Sequence, residues 1–383
     1  MKKLLLIFIV FFIFVSRVNA ADLKLAESAK SSILIEASTG EVIHDSNSHE
    51  RLAPASMTKI MSLILIMEEI EKGNLKLDEV ITVSENASKM GGSQIYLEAG
   101  EKMTVDDLLK AICVGSANDA VVALAERISG SEEAFVFKMN EKVRKLGLNN
   151  TNFKNATGLD TANHYSSAYD MSQMARELVR HKKILEYSGI YETYLRQNTN
   201  NKFWLVNTNK LIKTYDGMDG LKTGYTKEAG YCLTATAKRN NMRLIGVIMG
   251  EEKSAKRNEE MTKMLDYGFN MYTVKEYLTT NSKLGELNID KANKSKIIIV
   301  PTHDINILNK KGNEERKITH KLNITNETLP IKKGNIVGNI SIYENNKELY
   351  KIDVTVKEDI KKANILELLV KNIGEVFTGE NIF

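Results

Sequence analysis

A serine and a lysine three positions apart are the first residues of this sequence whose types and spacing suggest catalysis. The segment is Ser56-Met57-Thr58-Lys59, and side chains at positions i and i+3 lie on one face of a helix, about 5–6 Å apart at Cβ. A serine hydroxyl becomes a nucleophile when a base takes its proton, and lysine is such a base once burial lowers its pKa. The pair therefore suggests a serine nucleophile with a lysine as its general base.

The helix that must hold this pair is predicted to be buried. Residues 60–67 are apolar on nearly every side, which is typical of a helix inside a domain. Burial would supply the desolvation that Lys59 needs, and the free backbone N–H groups at the helix N-terminus could stabilise an oxyanion next to Ser56. Taken alone, the pattern also fits a serine that caps a helix and a lysine on the surface.

Two further polar motifs lie where the chain changes from one element to the next. Ser116-Ala117-Asn118 separates two predicted helices, so its side chains can point into a cleft. In Lys222-Thr223-Gly224, at the end of a predicted strand, the charge and the hydroxyl could bind a carboxylate, and the glycine would let a substrate backbone approach. Taken alone, these motifs also fit helix caps and a turn. Ser84-Glu85-Asn86 repeats the Ser-x-Asn spacing, but its charged surroundings indicate a turn.

The elements predicted around the three motifs form one antiparallel sheet with helices on its faces. Strand signals occur at both ends of this region, and residues 75 to about 215 look mostly helical, with a helix capped by Thr104 and Asp107. A sheet built from both ends would bury these segments against the helical block. The predicted strands are 32–37, 41–44, 220–225, 231–237 and 243–249, and further helices are predicted over 118–127 and 253–272.

Beyond about residue 275, short apolar runs alternate with turn residues, which predicts a small all-β module over residues 275–357. A last helix is predicted from Asp359 to Phe377, because its apolar residues recur at helical spacing. Its apolar face could lie in a membrane interface or pack on the β module. We expect the membrane anchor, and because the charges of the helix balance, its attachment would come from apolar burial.

The N-terminus is typical of a secretory signal peptide over residues 1–20. Lys2 and Lys3 precede an apolar run of 12 residues, Leu4 to Val15, and a small-residue site ends at Ala20. A retained anchor is the alternative, although a membrane span needs about 20 apolar residues. Cleavage after Ala20 would place the protein outside the cytoplasm, secreted or peripheral at the membrane and cell wall.

Composition excludes several functional classes. The chain has 53 basic and 49 acidic residues, for a formal charge of +4, and without the basic residues Lys2, Lys3 and Arg17 of the first twenty positions the charge is +1. The remaining chain therefore offers no basic excess to a nucleic acid. Its two cysteines, Cys113 and Cys232, rule out a disulfide scaffold, and their apolar contexts predict buried free thiols. The six histidines form no zinc-peptidase pair, and the sequence contains neither a Gly-x-Ser-x-Gly elbow nor a P-loop.

In order, spacing and context, the three motifs resemble those of the penicillin-binding and serine β-lactamase superfamily. More narrowly, the sequence is similar to low-molecular-mass serine-type D-alanyl-D-alanine carboxypeptidases over about residues 30–272, including Asn155 to Asp160, His164 and Ser166 to Ala168. The resemblance implies a β-lactamase/transpeptidase-like catalytic domain of α/β (α+β) class over residues 21–274, with an antiparallel sheet and a helical block. A small all-β domain and an amphipathic helix over residues 358–383 would follow.

The resemblance also implies a substrate and a role for each motif residue. The substrate would be the peptidoglycan pentapeptide ending in D-Ala-D-Ala, cleaved during cell-wall biosynthesis and the control of cell shape, and β-lactam antibiotics would acylate the same serine. Ser56 would attack the penultimate carbonyl with Lys59 as base, and Ser116 would pass a proton to the leaving amine. The substrate-binding residues would be Asn118 for the amide, Lys222 and Thr223 for the carboxylate, Gly224 for backbone approach, and Tyr225, whose N–H would join that of Ser56 in the oxyanion hole. No metal or organic cofactor is expected.

Other activities on the same scaffold remain as alternatives. A class A β-lactamase would need a glutamate for the deacylating water, typically in Glu-x-x-Leu-Asn, and no such run occurs between Asn118 and Lys222. A D,D-endopeptidase or transpeptidase would use the same three motifs. A non-catalytic peptidoglycan-binding or β-lactam-sensing module would not need Ser56, Lys59 and Lys222 together, so the motifs favour an enzyme.

Overall fold

The computed structural model describes residues 24–197 and 199–369. The predicted signal peptide lies outside these residues, as does the part of the predicted last helix beyond residue 369. Within the described ranges, no helix combines the length and the apolar composition that crossing a membrane requires.

The chain forms two domains, the first of mixed helices and strands up to Met271 and the second mostly of strands. The helices are α1 (Lys59–Glu71), α2 (Glu85–Ser88), α3 (Val105–Gly115), α4 (Asn118–Ser129), α5 (Glu132–Lys145), α6 (Ala168–Leu178), α7 (Ile184–Ser188), α8 (Leu211–Thr214) and α9 (Ser254–Met271), with a 3-10 turn at Ala55–Thr58 and a further helical segment at residues 365–369. The strands up to α9 are β1 (Ser31–Glu36), β2 (Val42–Ser46), β3 (Val80–Thr82), β4 (Lys102–Thr104), β5 (Glu192–Leu195), β6 (Phe203–Val206), β7 (Met218–Thr226), β8 (Gly230–Arg239) and β9 (Met242–Glu251). The strands after α9 are β10 (Tyr272–Leu278), β11 (Gly285–Leu287), β12 (Ile297–Pro301), β13 (Ile305–Lys310), β14 (Ile318–Ile324), β15 (Gly338–Glu344) and β16 (Lys347–Val356).

A five-stranded antiparallel sheet, in the order β2-β1-β9-β8-β7, confirms the prediction of a sheet built from both ends of the first domain. The N-terminal hairpin joins the sheet through β1, which pairs with β9 from Ser31↔Met249 to Glu36↔Leu244. Helix α9 covers one face of the sheet, and α1 and α6 cover the other. Because both faces are covered, the central strand β9 is apolar along most of its length. Strand β7 is left at the edge.

Helix α1 runs through the core of the first domain. Every residue from Lys59 to Met67 is buried, as the apolar sequence predicts. The Thr104 hydroxyl caps α3 by accepting from the Asp107 N–H at 3.1 Å, and α4 ends at Gly130 in the left-handed conformation. The predicted cap by Thr104 is thus confirmed, and the break between α3 and α4 falls at residues 116–117.

The second domain is the predicted all-β module. Its main sheet has the order β11-β12-β16-β15-β14, while β10 pairs with β13 in a separate two-stranded sheet, and its core is rich in isoleucine and valine. The module begins at Tyr272, directly after α9, slightly before the predicted boundary at residue 275. Arg316 joins the two domains, because its guanidinium donates to Glu41 of the first domain and to Glu344 of the second.

The predicted start of the last helix at Asp359 is wrong. Ile360 is buried in the core of the β domain and pairs with Ile331 in an isolated bridge. The helix begins after Asn364, whose side chain accepts from the Glu367 N–H at 2.9 Å, while the Glu367 carboxylate accepts from the Asn364 N–H at 2.8 Å. This reciprocal capping box ends the β domain and starts the helix, and the apolar spacing of the sequence could not distinguish the two.

Candidate active site

Ser56 and Lys59 meet at the start of helix α1. Ser56 lies in the 3-10 turn Ala55–Thr58, and Lys59 is the first residue of the helix. Lys59 is fully buried, and its Nζ lies 2.8 Å from Ser56 Oγ and 2.7 Å from the carbonyl O of Thr157. The structure therefore contains the serine–lysine contact that the spacing suggests, together with a carbonyl partner that no motif had assigned.

The surroundings of Lys59 favour its neutral form. Burial has the largest effect and lowers the pKa of Lys59 well below its ordinary value. The positive charge of Lys222 lowers it further, and the carboxylate of Asp119 opposes both effects. A neutral amine has a lone pair that can accept the Ser56 hydroxyl proton, which an ammonium cannot do.

The Ser116-Ala117-Asn118 segment brings two buried polar groups to the break between α3 and α4. Ser116 caps α3 in a left-handed conformation, with φ at +62°. The Asn118 side chain donates to the carbonyl O of Gly91 at 2.6 Å, and its backbone N–H donates to that of Ser93 at 2.7 Å. Within the described ranges, Ser116 Oγ and Asn118 Oδ1 are buried without a hydrogen-bond partner. A bound substrate is one source of the partners that such atoms need.

Strand β7 packs its Lys222-Thr223-Gly224 motif against the turn that carries Ser56. A Cβ atom on Gly224 would lie 2.8 Å from the carbonyl O of Pro54 and 3.3 Å from the backbone N of Ser56. Glycine therefore allows the edge strand and the turn to approach each other closely. The next residue, Tyr225, is 54% exposed, and its ring stacks on Tyr231 with the centroids 4.3 Å apart.

Lys222 and Thr223 supply a cation and a hydroxyl on this strand. Lys222 is buried and donates to the carbonyl O of Thr223 at 3.2 Å. Burial lowers the pKa of Lys222 to about 8, the Cys113 thiol opposes this shift, and the Arg257 guanidinium adds to it. Lys222 is therefore mostly protonated at neutral pH, whereas the pKa of Lys59 is lowered well below its ordinary value. The Thr223 hydroxyl donates to Thr208 Oγ1 at 2.8 Å.

The segment 155–160 supports the same turn from another side. Gly158 has φ at +88°, and a Cβ atom there would lie 1.8 Å from the carbonyl O of Ala55. The Asn155 side chain holds the bend by accepting from the Gly158 N–H at 2.7 Å. The bend places the Thr157 carbonyl O against Lys59 Nζ. This segment therefore fixes both the turn of the nucleophile and the position of the base.

Comparison with known proteins agrees with this geometry. A family model described as D-alanyl-D-alanine carboxypeptidase matches residues 17–253, and a second, described as penicillin-binding protein 5, C-terminal domain, matches residues 272–362. The chain is 49% identical to the D-alanyl-D-alanine carboxypeptidase DacF of Bacillus subtilis over 353 residues, which are 92% of this chain and 91% of the relative. This chain belongs to the D-alanyl-D-alanine carboxypeptidase family.

Solved structures confirm the predicted fold of this family member. Penicillin-binding protein 5 from Haemophilus influenzae is 29% identical, with a TM-score of 0.70 over 88% of this chain and 98% of that chain. Penicillin-binding protein D2 from Listeria monocytogenes, in an ampicillin-bound form, is 30% identical, with a TM-score of 0.58 over 65% of this chain and 99% of that chain. The first comparison includes the catalytic α/β domain and the all-β domain that follows it.

Asp119 and Arg257 also shape this carboxypeptidase site, although the sequence motifs assigned a role to neither residue. The Asp119 carboxylate accepts from the backbone N–H groups of Ile95 and Leu97, at 3.0 and 3.1 Å, and so fixes the loop beside Asn118. Arg257, buried at the start of α9, donates to the carbonyl O of Cys232 at 3.2 Å. Asp119 directly follows the Ser-x-Asn motif, which is a local signal, whereas Arg257 has none.

His164, which belongs to the family resemblance, has a structural position beside the turn. Its Nδ1 accepts from the Lys154 backbone N–H at 3.1 Å, so the neutral ring carries its proton on Nε2, which lies 2.8 Å from Thr58 Oγ1. Burial lowers the pKa of His164 to about 4. The ring is therefore a neutral donor that holds Thr58, the last residue of the turn that carries Ser56.

Two further predictions from the sequence can be compared with the structure. Ser84 caps the short helix α2 by accepting from the Ala87 N–H at 2.9 Å, so the predicted turn at Ser84-Glu85-Asn86 is instead a helix start. The sequence cannot show this, because serine favours turns and N-caps alike. Cys113 and Cys232 are buried and free, as predicted.

One group of side chains in the described part of the chain could hold a metal ion, namely Glu68, Glu177 and His181. Lys142 Nζ already donates to the two carboxylates, at 2.5 and 2.8 Å. Both glutamates thus have a cationic partner within the protein. No hydrogen bond of the described residues joins Glu68, Glu177 or His181 to Ser56 or Lys59.

Proposed function

We propose that this chain is a serine-type D-alanyl-D-alanine carboxypeptidase, a hydrolase that removes the terminal D-Ala from peptidoglycan pentapeptide stems. The observation that carries the proposal is the buried Lys59 amine, 2.8 Å from Ser56 Oγ. A buried lysine with a structural role normally pairs with a carboxylate. Lys59 instead contacts a hydroxyl and a carbonyl, which suits a neutral base beside a nucleophile.

Acylation would begin at Ser56. Its hydroxyl proton passes to Lys59 Nζ while Oγ bonds to the penultimate carbonyl carbon, and the carbonyl electron pair moves to the oxygen. The N–H groups of Ser56 and Tyr225 would stabilise that oxyanion. The C–N bond then breaks, the leaving amine takes a proton from the Ser116 hydroxyl, and Lys59 returns its proton to Ser116. Terminal D-Ala departs, and an ester on Ser56 remains.

Hydrolysis of the ester would restore the enzyme. A water molecule gives a proton to neutral Lys59 while its oxygen bonds to the ester carbonyl carbon. The bond between that carbon and Ser56 Oγ breaks, and Oγ takes the proton back from Lys59. The shortened peptide leaves with a new terminal carboxyl group, which releases its proton to water, and Lys59 is neutral again.

The other motif residues would bind the substrate. The terminal carboxylate would lie at protonated Lys222 and the Thr223 hydroxyl, a charge-assisted arrangement. Asn118 Oδ1, which has no partner within the described ranges, would accept from a substrate amide N–H. The substrate backbone would pair with the free edge of β7 beside Gly224. A penicillin offers a similar carboxylate and amide, so β-lactams would acylate Ser56 by the same route.

Mass spectrometry after separate incubations with a D-Ala-D-Ala peptide and with penicillin tests the proposal. We expect loss of one D-Ala from the peptide and a penicillin adduct on the peptide that contains Ser56, and Ser56→Ala should show neither. Ser116→Ala should slow D-Ala release, whereas Ser84→Ala, with the same Ser-x-Asn spacing on a surface cap, should not. A stable adduct without D-Ala release would favour a β-lactam-sensing module, and an adduct in Ser56→Ala would place the nucleophile elsewhere.

We also propose that the protein is exported and attached to the membrane surface through its C-terminal helix. The described start of that helix supports this proposal, because Ile365, Leu366 and Leu369 are 86%, 75% and 60% exposed. Apolar side chains that do not pack on the β domain are available to a membrane interface. The alternative, in which the helix covers the β domain, gives no reason for these exposures.

Vesicle co-sedimentation of the mature protein tests the attachment. The truncated control should lack residues 364–383, because a cut before Ile360 would remove a buried residue of the β-domain core. We expect the full-length protein to sediment with vesicles at low and high salt, and the truncated protein to stay in the supernatant. If both forms stay in the supernatant, the attachment is contradicted.

A further inference from the structure

We infer that Thr208 is a positioning residue of the carboxylate-binding site and acts through Thr223. The inference rests on the proposed function, since Thr223 and Lys222 are the residues that would hold the substrate carboxylate. The Thr223 hydroxyl donates to Thr208 Oγ1 at 2.8 Å. Thr208 belongs to none of the three sequence motifs, and it lies in the connection between β6 and α8.

A polar bracket, made of Asn207, Thr208 and Asn209, fixes this hydroxyl relative to the site. The Asn207 side chain donates to the carbonyl O atoms of Ser188 and Ile190, at 3.1 and 2.8 Å, at the end of α7. Both asparagines are buried, and Asn207 Oδ1 accepts from the Asn209 N–H at 2.8 Å. Hydrogen bonds therefore join the bracket to the end of α7 and join its two asparagines to each other.

The same bracket reaches both elements that carry the binding motifs. The Asn209 side chain donates to the carbonyl O of Gly220 at 3.1 Å, on the strand that carries Thr223. The Thr208 backbone N–H donates to the carbonyl O of Val114 at 3.3 Å, in the last turn of α3 before Ser116. Thr208 is thus held between the Ser-x-Asn motif and the Lys-Thr-Gly motif, with its hydroxyl on Thr223.

The direction of the hydrogen bond between the two threonines explains what Thr208 would do. In the free protein, Thr223 uses its only hydroxyl proton on Thr208, and the Thr208 proton has no acceptor within the described ranges. A hydroxyl can rotate and can both donate and accept. When a carboxylate arrives, Thr223 can donate to it while Thr208 donates to Thr223 Oγ1. The pair then keeps its mutual hydrogen bond, and the donation from Thr208 strengthens Thr223 as a donor.

Acylation by penicillin tests this inference with matched variants. Thr208→Val keeps the shape of the side chain and removes the hydroxyl, whereas Thr208→Ser keeps the hydroxyl. Thr193→Val makes the same chemical change in β5, at a hydroxyl that has no hydrogen bond within the described ranges. The measurement is the second-order acylation rate constant with a penicillin and with its methyl ester, together with the thermal unfolding midpoint of each variant.

We expect Thr208→Val to lose about 3- to 10-fold in acylation by the free acid, the scale of one neutral hydrogen bond. With the methyl ester the loss should be under about twofold, because an ester lacks the charge that orders the hydroxyl pair. Thr208→Ser and Thr193→Val should resemble the wild type with both compounds. With a D-Ala-D-Ala peptide, Thr208→Val should raise KM more than it lowers kcat.

Three results would overturn the inference. These are wild-type acylation by the free acid in Thr208→Val, an equal loss with the acid and the ester, or a serine variant as slow as the valine variant. If Thr208→Val unfolds, the comparison of Thr208→Ala with Thr208→Ser replaces it under the same criteria. A wild-type protein that is acylated but releases no D-Ala would overturn the proposed function and leave this comparison valid.

Discussion

The protonation of Lys222 should set the alkaline limit of the reaction. Its buried ammonium has a pKa of about 8, below the ordinary value of 10.5, so its charge is lost as the pH rises through about 8. The protonated fraction falls from about nine-tenths at pH 7 to about one-tenth at pH 9. Because the carboxylate of the substrate would bind the charged form, kcat/KM should fall roughly five- to ninefold over that interval, given the residual activity of the uncharged form derived below. The pKa of Lys59 is also lowered well below its ordinary value, and loss of a proton from a general base does not lower the rate, so Lys59 does not cause this decline.

The depth of this decline follows from the hydrogen bond that the charge makes. A hydrogen bond to a charged group contributes about 1.5–3 kcal/mol, so Lys222→Ala should lower kcat/KM by roughly 10–100-fold at pH 7. The variant should then show no decline between pH 7 and pH 9, because it has no charge left to lose at position 222. At high pH, the wild-type profile should approach the level of the variant.

Initial rates of D-Ala release, at substrate concentrations well below KM and fixed ionic strength, give kcat/KM from pH 6 to pH 10 and report the free enzyme. The same peptide with a C-terminal amide is the control, and its slower reaction should not decline near pH 8. A wild-type profile that stays level to pH 9.5 would refute the reasoning, as would a Lys222→Ala variant that keeps the decline.

Three further substitutions test separate parts of the site. Lys59→Arg should abolish most penicillin acylation, because arginine keeps the charge but cannot serve as a neutral base; near-normal acylation would mean that Lys59 acts through its charge alone. Gly158→Ala should lower the free energy of unfolding in urea by at least about 1–3 kcal/mol, because its Cβ would lie 1.8 Å from a backbone carbonyl O. Gly147→Ala, at φ +68° with nothing within 4 Å of its Cβ, is the control for backbone strain, and an equal effect would contradict the packing argument. His164 takes up its proton near pH 6.5 when unfolded and near pH 4 when folded, so the wild type should lose roughly 3 kcal/mol of stability from this group between pH 7 and pH 4. His164→Gln should show a shallower loss in urea unfolding over that range, and an unchanged slope would assign the loss to other groups.

Local patterns were sufficient to predict the main elements and the contact between Ser56 and Lys59. The run after Lys59 is apolar on all sides, and such a helix has no alternative to burial, which is what lowers the lysine pKa. Strand signals at residues 32–44 and 220–249 could be joined into one sheet because such a sheet buries both groups against the helices between them. The three motifs could be placed together through the family resemblance.

Contacts between distant segments could not be predicted in this way. The Thr157 carbonyl on Lys59 and the Thr208 hydroxyl on Thr223 depend on loop conformations, and their residue types carry no chemical signature. The spacing of apolar residues could not predict where the last helix starts, because Ile360 fits helical spacing while its backbone pairs with Ile331. Periodicity records which residues are apolar, and it does not record what they pack against.

A direct titration of Lys59 tests the central claim, that a neutral lysine activates Ser56. The measurement is the pH dependence of the Cε signal in protein labelled with ¹³C-lysine, with Lys59→Arg used to assign the signal. We expect deprotonation of Lys59 well below pH 10.5, and a rise in its pKa in Lys222→Ala, because the repulsion from the second cation is then absent. A Lys59 signal that titrates near pH 10.5 would leave Ser56 without a base at neutral pH, and a neutral Lys59 could then not be the activator of Ser56.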